Sequence, residues 1–170
     1  MRRLLLIAVT VAALVAAAPA LAKTYDEGTI LPGRGAAVGP TTIPVLIGMK
    51  KAKVLAVLGK PVYQNAFGYL QYSKKNLLDV YVNTSGNRVD LIGVSGRRFC
   101  LPFGICMLQA GGLKALKQKY GSALKREVDE TGEVGYVFRN RVDGQKRKTR
   151  FTTDGTNGTA KIIMVFVSTG

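Results

Sequence analysis

Apolar positions along the chain fall into segments of two periods. Over 49–58, Val54, Val57 and Leu58 recur at helical spacing, with Lys50, Lys51 and Lys53 turned outward, which predicts a short helix. Gly59 ends it and Pro61 prevents its continuation. Strand-like runs follow at 67–73, 77–82 and 88–94, with Ser85-Gly86-Asn87 turning between the last two. The same order then returns. Residues 111–120 read as a helix with Leu113, Leu116 and Tyr120 on one face, closed by Gly121. Runs at 134–142, 148–153 and 161–167 follow, the last after an Asp154-Gly155-Thr156-Asn157-Gly158 turn. Ahead of both units, 23–42 is rich in Gly and Pro without an apolar period, and reads as an extended or mobile tail.

The two units align. Val54, Leu58 and Gly59 match Leu116, Tyr120 and Gly121 at one constant offset, and Gly68-Tyr69-Leu70 resembles Gly135-Tyr136-Val137. The expected fold is therefore α+β: two helix-plus-three-strand repeats, at 43–96 and 97–170, forming a two-layer sandwich. Both helices would cover one face of an antiparallel sheet.

The first segment reads as an address. Met1-Arg2-Arg3 precedes an apolar run over 4–18, then Pro19 and Ala20-Leu21-Ala22 before Lys23. A basic start, an apolar middle and a small-x-small site make a secretory signal peptide over 1–22. The alternative is an uncleaved anchor, although the run is shorter than the roughly 20 residues of a membrane span. No integral span is expected after cleavage. Export would place the protein outside the cell, in a periplasm or in the cell envelope. There the only cysteines, Cys100 and Cys106, would form a disulfide, with two buried free thiols as the alternative.

The stretch 47–61, Ile-Gly-Met-Lys-Lys-Ala-Lys-Val-Leu-Ala-Val-Leu-Gly-Lys-Pro, resembles the helix opening of the beta-lactamase inhibitory protein fold. It is also similar to the small outer-membrane assembly lipoproteins of the SmpA/OmlA type. These families share a Gly-Met start, a mid-helix Val and a closing Leu-Gly-x-Pro. Only the first helix matches well; the second unit has Ala110-Gly111-Gly112 in place of Gly-Met, and the inhibitor carries a disulfide within each unit. The resemblance implies a fold whose members are mainly exported binding modules, and it supports fold more than activity.

Composition narrows the chemistry. The 170 residues hold 25 Lys+Arg, 10 Asp+Glu and no histidine, for a charge of +15. Ser-His-Asp triads, Cys-His pairs and histidine metal sites are excluded. Glu127, Asp129, Glu130 and Glu133 cluster in a turn-like stretch and read as a solvated loop, with cation binding or catalysis as the alternative. The 154–158 turn lacks the alternating oxygens and closing Glu of a calcium loop. No catalytic residue, metal ligand or cofactor is expected.

The basic charge carries more information. Arg139, Arg141, Lys146, Arg147, Lys148 and Arg150 are opposed only by Asp143. Strand alternation puts Arg139 and Arg141 on one face, and likewise Lys148 and Arg150. In the first unit Leu78, Val80 and Val82 would face the helix, leaving Asp79 and Tyr81 outward beside Tyr69 and Gln71. These eight residues, Tyr69, Gln71, Asp79, Tyr81, Arg139, Arg141, Lys148 and Arg150, form the candidate binding face. A one-residue register slip would invert it. The functional expectation is an exported, noncatalytic module. Its open sheet would bind a protein partner, with inhibition of a secreted enzyme as one version, or an anionic envelope component. The alternative is an electrostatic binder of nucleic acid, wall polymer or lipid headgroups.

Overall fold

The computed structural model describes residues 28–37, 44–72, 78–83 and 86–170, with 78–83 placed by backbone alone. The expected signal peptide at 1–22 lies outside the described residues. Three two-residue strands, β1 (Ile30–Leu31), β2 (Gly35–Ala36) and β3 (Val45–Leu46), form a small antiparallel sheet. Helix α1 (Lys51–Leu58) is followed by β4 (Tyr63–Gln64), β5 (Tyr69–Gln71), β6 (Leu78–Asn83) and β7 (Arg88–Val94). Helix α2 (Gly112–Tyr120) and a short 3-10 turn precede β8 (Leu124–Val128), β9 (Val134–Val142), β10 (Gln145–Thr153) and β11 (Ile162–Thr169). The eight later strands make one antiparallel sheet in the order β4-β5-β6-β7-β11-β10-β9-β8. Strands β7 and β11 pair at its middle, and β4 and β8 form its two rims.

This architecture overturns the expected α+β sandwich of two helix-plus-three-strand repeats. The protein is mostly β, and its two helices span only eight and nine residues. Each helix is followed by four strands rather than three, and a further sheet precedes them. The two halves also differ. Helix α1 buries Val54 alone, whereas α2 buries Gly112, Leu113 and Leu116. β4 is an exposed two-residue stub, whereas β8 has five residues. The reason is geometric. Eight strands at about 4.8 Å spacing span roughly 34 Å, while two helices side by side cover roughly 20 Å. Other segments must cover the remainder.

The expected tail supplies much of that cover. Residues 28–37 are a buried hairpin, with Ile30 at 0% and Ala36 at 1% exposure. The Gly33 N–H donates to the Oγ1 of the buried Thr149 at 2.7 Å. Gly33 is also so close to the Asn140 side chain that a Cβ there would overlap it. The extended-tail reading is therefore corrected over this stretch: its glycines permit close docking on the sheet. The loop closed by the Cys100–Cys106 disulfide buries Leu101, with Phe99 and Met107 buried beside it. It holds β1 through Ile30 N–H to the Cys100 carbonyl at 2.7 Å and Cys100 N–H to the Gly28 carbonyl at 2.8 Å.

All these segments share one core with the inner face of the sheet, formed by Leu70, Ile92, Val94, Tyr136, Phe151, Val165 and Val167. Tyr120 of α2 stacks on Phe138, with ring centroids 4.4 Å apart. Burial pushes its phenol up to about 12. Among the described residues no helix is long and apolar enough to cross a membrane.

Candidate functional site

Alternation along each strand leaves the other face of the sheet without helices. Register arranges that face in transverse rows. One row runs Tyr69, Tyr81, Leu91, Ser168, Lys148, Arg139 through successive strand pairs. The neighbouring row runs Tyr63, Gln71, Asp79, Gly93, Phe166, Arg150, Val137, Lys125. Seven of the eight candidate residues stand in these two rows. Arg141 stands one step beyond, opposite Lys146. Asp79 and Tyr81 are placed by backbone register only, and their side chains lie outside the described residues.

The face changes character across its width. At the β4–β5 end the Tyr63 and Tyr69 rings sit 5.8 Å apart, and Gln71 Nε2 donates to Tyr69 Oη at 3.0 Å. Leu91, Met164 and Phe166 make a half-buried apolar middle. The β10–β9–β8 end is charged, but less freely than its sequence implies. Glu127 receives Arg139 at 2.6 Å and Lys148 at 3.5 Å. The Arg139 hydrogen bond, with the nearby charges of Arg139 and Lys148, holds the Glu127 carboxyl below its ordinary value despite some desolvation.

Arg150 is a structural tie. Its guanidinium lies across Gly135, where a Cβ would come within 2.6 Å of Nε. From there it donates to Asp129 Oδ2 at 2.9 Å and to the Glu133 carbonyl at 2.8 Å. Asp129 Oδ1 accepts from the Thr131 hydroxyl at 2.7 Å, the Glu133 N–H at 2.9 Å and the Thr131 N–H at 3.0 Å. The Thr131 hydroxyl leads the causes that lower the Asp129 carboxyl. The acidic stretch thus includes the counter-charges of the basic strands. Among the described residues no three His, Cys, Asp or Glu side chains gather as a metal-ligand set.

Sequence reasoning missed the apolar middle, the Glu127 pairing and the turn at Asp143-Gly144. Both turn residues have positive φ, 51° and 74°, as a two-residue hairpin of the primed type requires. The Asp-Gly pair was the signal for it. The hairpin extends β10 back to Gln145 and frames an open groove of about 500 Å³ lined by Arg139, Asn140, Arg141, Lys146, Arg147 and Gly170. No protein-family model matches this chain, and no match is found among curated proteins or solved structures.

Proposed function

We propose that this chain is an exported, noncatalytic binding module that engages a protein partner through the open face of its sheet. The observation carrying this reading is the pair of transverse rows, which run from tyrosines through a half-buried apolar strip to paired cations. Interfaces favour that mixture of aromatic residues, apolar centre and arginine rim. The resemblance of 47–61 to families of exported binding modules supports the same reading. Export is supported by the basic-apolar-small leader pattern, and the disulfide is compatible with an oxidising compartment. A noncatalytic role is supported by the state of the acidic stretch. The carboxyls of Glu127 and Asp129 are lowered by their hydrogen bonds and neighbouring cations, which disfavours general-acid work.

The test is affinity capture from the native secretome at low and high salt, using the wild-type protein and a Tyr69→Ala/Phe166→Ala variant of verified fold. One protein recovered in stoichiometric amount, resistant to salt and lost with the variant, is the expected result. Recovery of no protein, or equal recovery by the variant, overturns the reading.

A second reading, electrostatic binding of an anionic polymer, is favoured by one observation. Arg141 and Lys146 face each other without a carboxylate partner among the described residues. It requires capture that disappears at high salt, since binding through about six phosphates gives a log–log salt slope near −5 for duplex DNA.

A further inference from the structure

We propose that the tip of the β9–β10 hairpin is a phosphate-binding site for an oligophosphate or an equivalent cluster of phosphate groups. Like charges directly opposite on antiparallel strands are destabilising. Here two such pairs follow one another on one face, Lys148 opposite Arg139 and Lys146 opposite Arg141. Glu127 offsets the first pair, reaching both members. The second has no carboxylate within 4.0 Å among the described residues. Asp143, in the adjoining turn, is exposed and makes no ion pair there within that distance.

The same strands thus contain a cation pair bridged by a carboxylate and, one step outward beside an open groove, a pair with no carboxylate within 4.0 Å among the described residues. Arg147, opposite Asn140 on the other face of β10, also lines that groove. The hydrogen bonds made by Arg141 and Arg147 run from Nη1 to the Gly144 and Lys146 carbonyls, at 3.2 and 3.3 Å. Nε and Nη2 of each keep the fork that fits a phosphate bidentately. The two-residue turn fixes the spacing of the two strands, so the cations are presented on a rigid hairpin rather than on a loose loop. A bound phosphate would supply the counter-charge that Glu127 supplies to the inner pair.

This inference rests on the open face being a binding surface, because Arg139 and Arg141 belong to both. Its test therefore leaves Tyr69 and Phe166 intact and uses a defined probe. Sodium tripolyphosphate is titrated calorimetrically at low salt into wild type, Arg141→Gln/Lys146→Gln and, as an equal-charge control on and after α1, Lys53→Gln/Lys60→Gln. In parallel the three proteins are sedimented with vesicles of phosphatidylcholine alone or mixed with phosphatidylglycerol. The groove variant, which loses two charge-assisted contacts at about tenfold each, is expected to bind about a hundredfold more weakly, and the control to stay within about twofold. Groove-dependent binding of tripolyphosphate supports a soluble source of the phosphate. Groove-dependent binding to the anionic vesicles alone supports a lipid headgroup. Binding of neither probe, or equal weakening by both variants, overturns the proposal. Either result leaves the capture experiment with Tyr69 and Phe166 to be judged on its own outcome.

Discussion

Replacing Cys100 and Cys106 by serine opens a loop whose ends are six residues apart in sequence. Closing so short a loop is worth about 2 kcal/mol in the chain-entropy account. The structure says where that loss is felt. Phe99, Leu101 and Met107 remain packed at 2–3% exposure, and Leu108 N–H still donates to the Ile162 carbonyl at 2.8 Å. The 28–37 hairpin, by contrast, is joined to this loop through the Cys100 backbone, whose carbonyl and N–H hold Ile30 and Gly28. The expected result is a thermal midpoint lowered by about 4–8 °C, from roughly 2–4 °C per kcal/mol for a domain of this size. Amide exchange should accelerate about thirtyfold in 28–37 and much less in β9, β10 and β11. Denaturation with and without reductant, followed by exchange mass spectrometry, measures both. An unchanged midpoint, or acceleration spread evenly over the sheet, would refute the view of this loop as the clasp of the N-terminal hairpin.

Three further outcomes are expected. Glu127 has its carboxyl lowered by Arg139, so its stabilising share is present above the ordinary value of 4.5 and is lost as pH falls through the lowered one. Unfolding free energies from urea denaturation should be higher for wild type than for Glu127→Gln by less than about 1 kcal/mol near neutrality and converge in acid. Divergence in acid would contradict the pairing. Tyr120, raised to about 12 by burial, favours the folded state below 10.0 and loses that contribution as pH rises toward 12. Its phenol should ionise late in an ultraviolet titration and vanish from it in Tyr120→Phe. Gly135→Ala puts a Cβ 2.6 Å from the Arg150 Nε, so the guanidinium tied to Asp129 must shift. A loss of about 1 kcal/mol or less is expected in chemical denaturation, because the displaced atoms end a flexible side chain whose ion pair is partly exposed, and a neutral result would show that Arg150 is not fixed.

Strand periodicity made much of the sheet legible. The run read at 88–94 is β7, that read at 134–142 is β9, and the Cys100–Cys106 bridge is present. What escaped the pattern has physical causes. β8 carries Lys125, Arg126 and Glu127 because it is a rim strand, and a charged run offers no apolar alternation to detect. β4 has two exposed residues and no buried side chain to mark it. The hairpin at 28–37 is built on glycines whose value is the closeness of approach they allow, which no periodicity records. Helical spacing was visible in α1 and α2, but it carried no information on how little of the sheet such short helices can cover. That omission produced the incorrect α+β expectation. The candidate face depended on parity alone, and parity cannot show that Arg150 and Arg139 already have carboxylate partners.

The two rims have a consequence for how copies of the chain behave toward each other. An open sheet offers unpaired backbone at each border, an invitation to accretion. At β8 an incoming strand would have to strip water from Lys125, Arg126 and Glu127 in succession. At β4 it would find only two residues of pairing, yet beside exposed Val62, Tyr63 and Phe67, the last at 86%. Growth of the sheet is thus barred at one border by hydration and limited at the other by brevity, while a net charge of +15 repels copies at a distance. High salt screens the long-range repulsion but leaves the hydration barrier at β8 in place, so self-association under those conditions should begin at the tyrosine border.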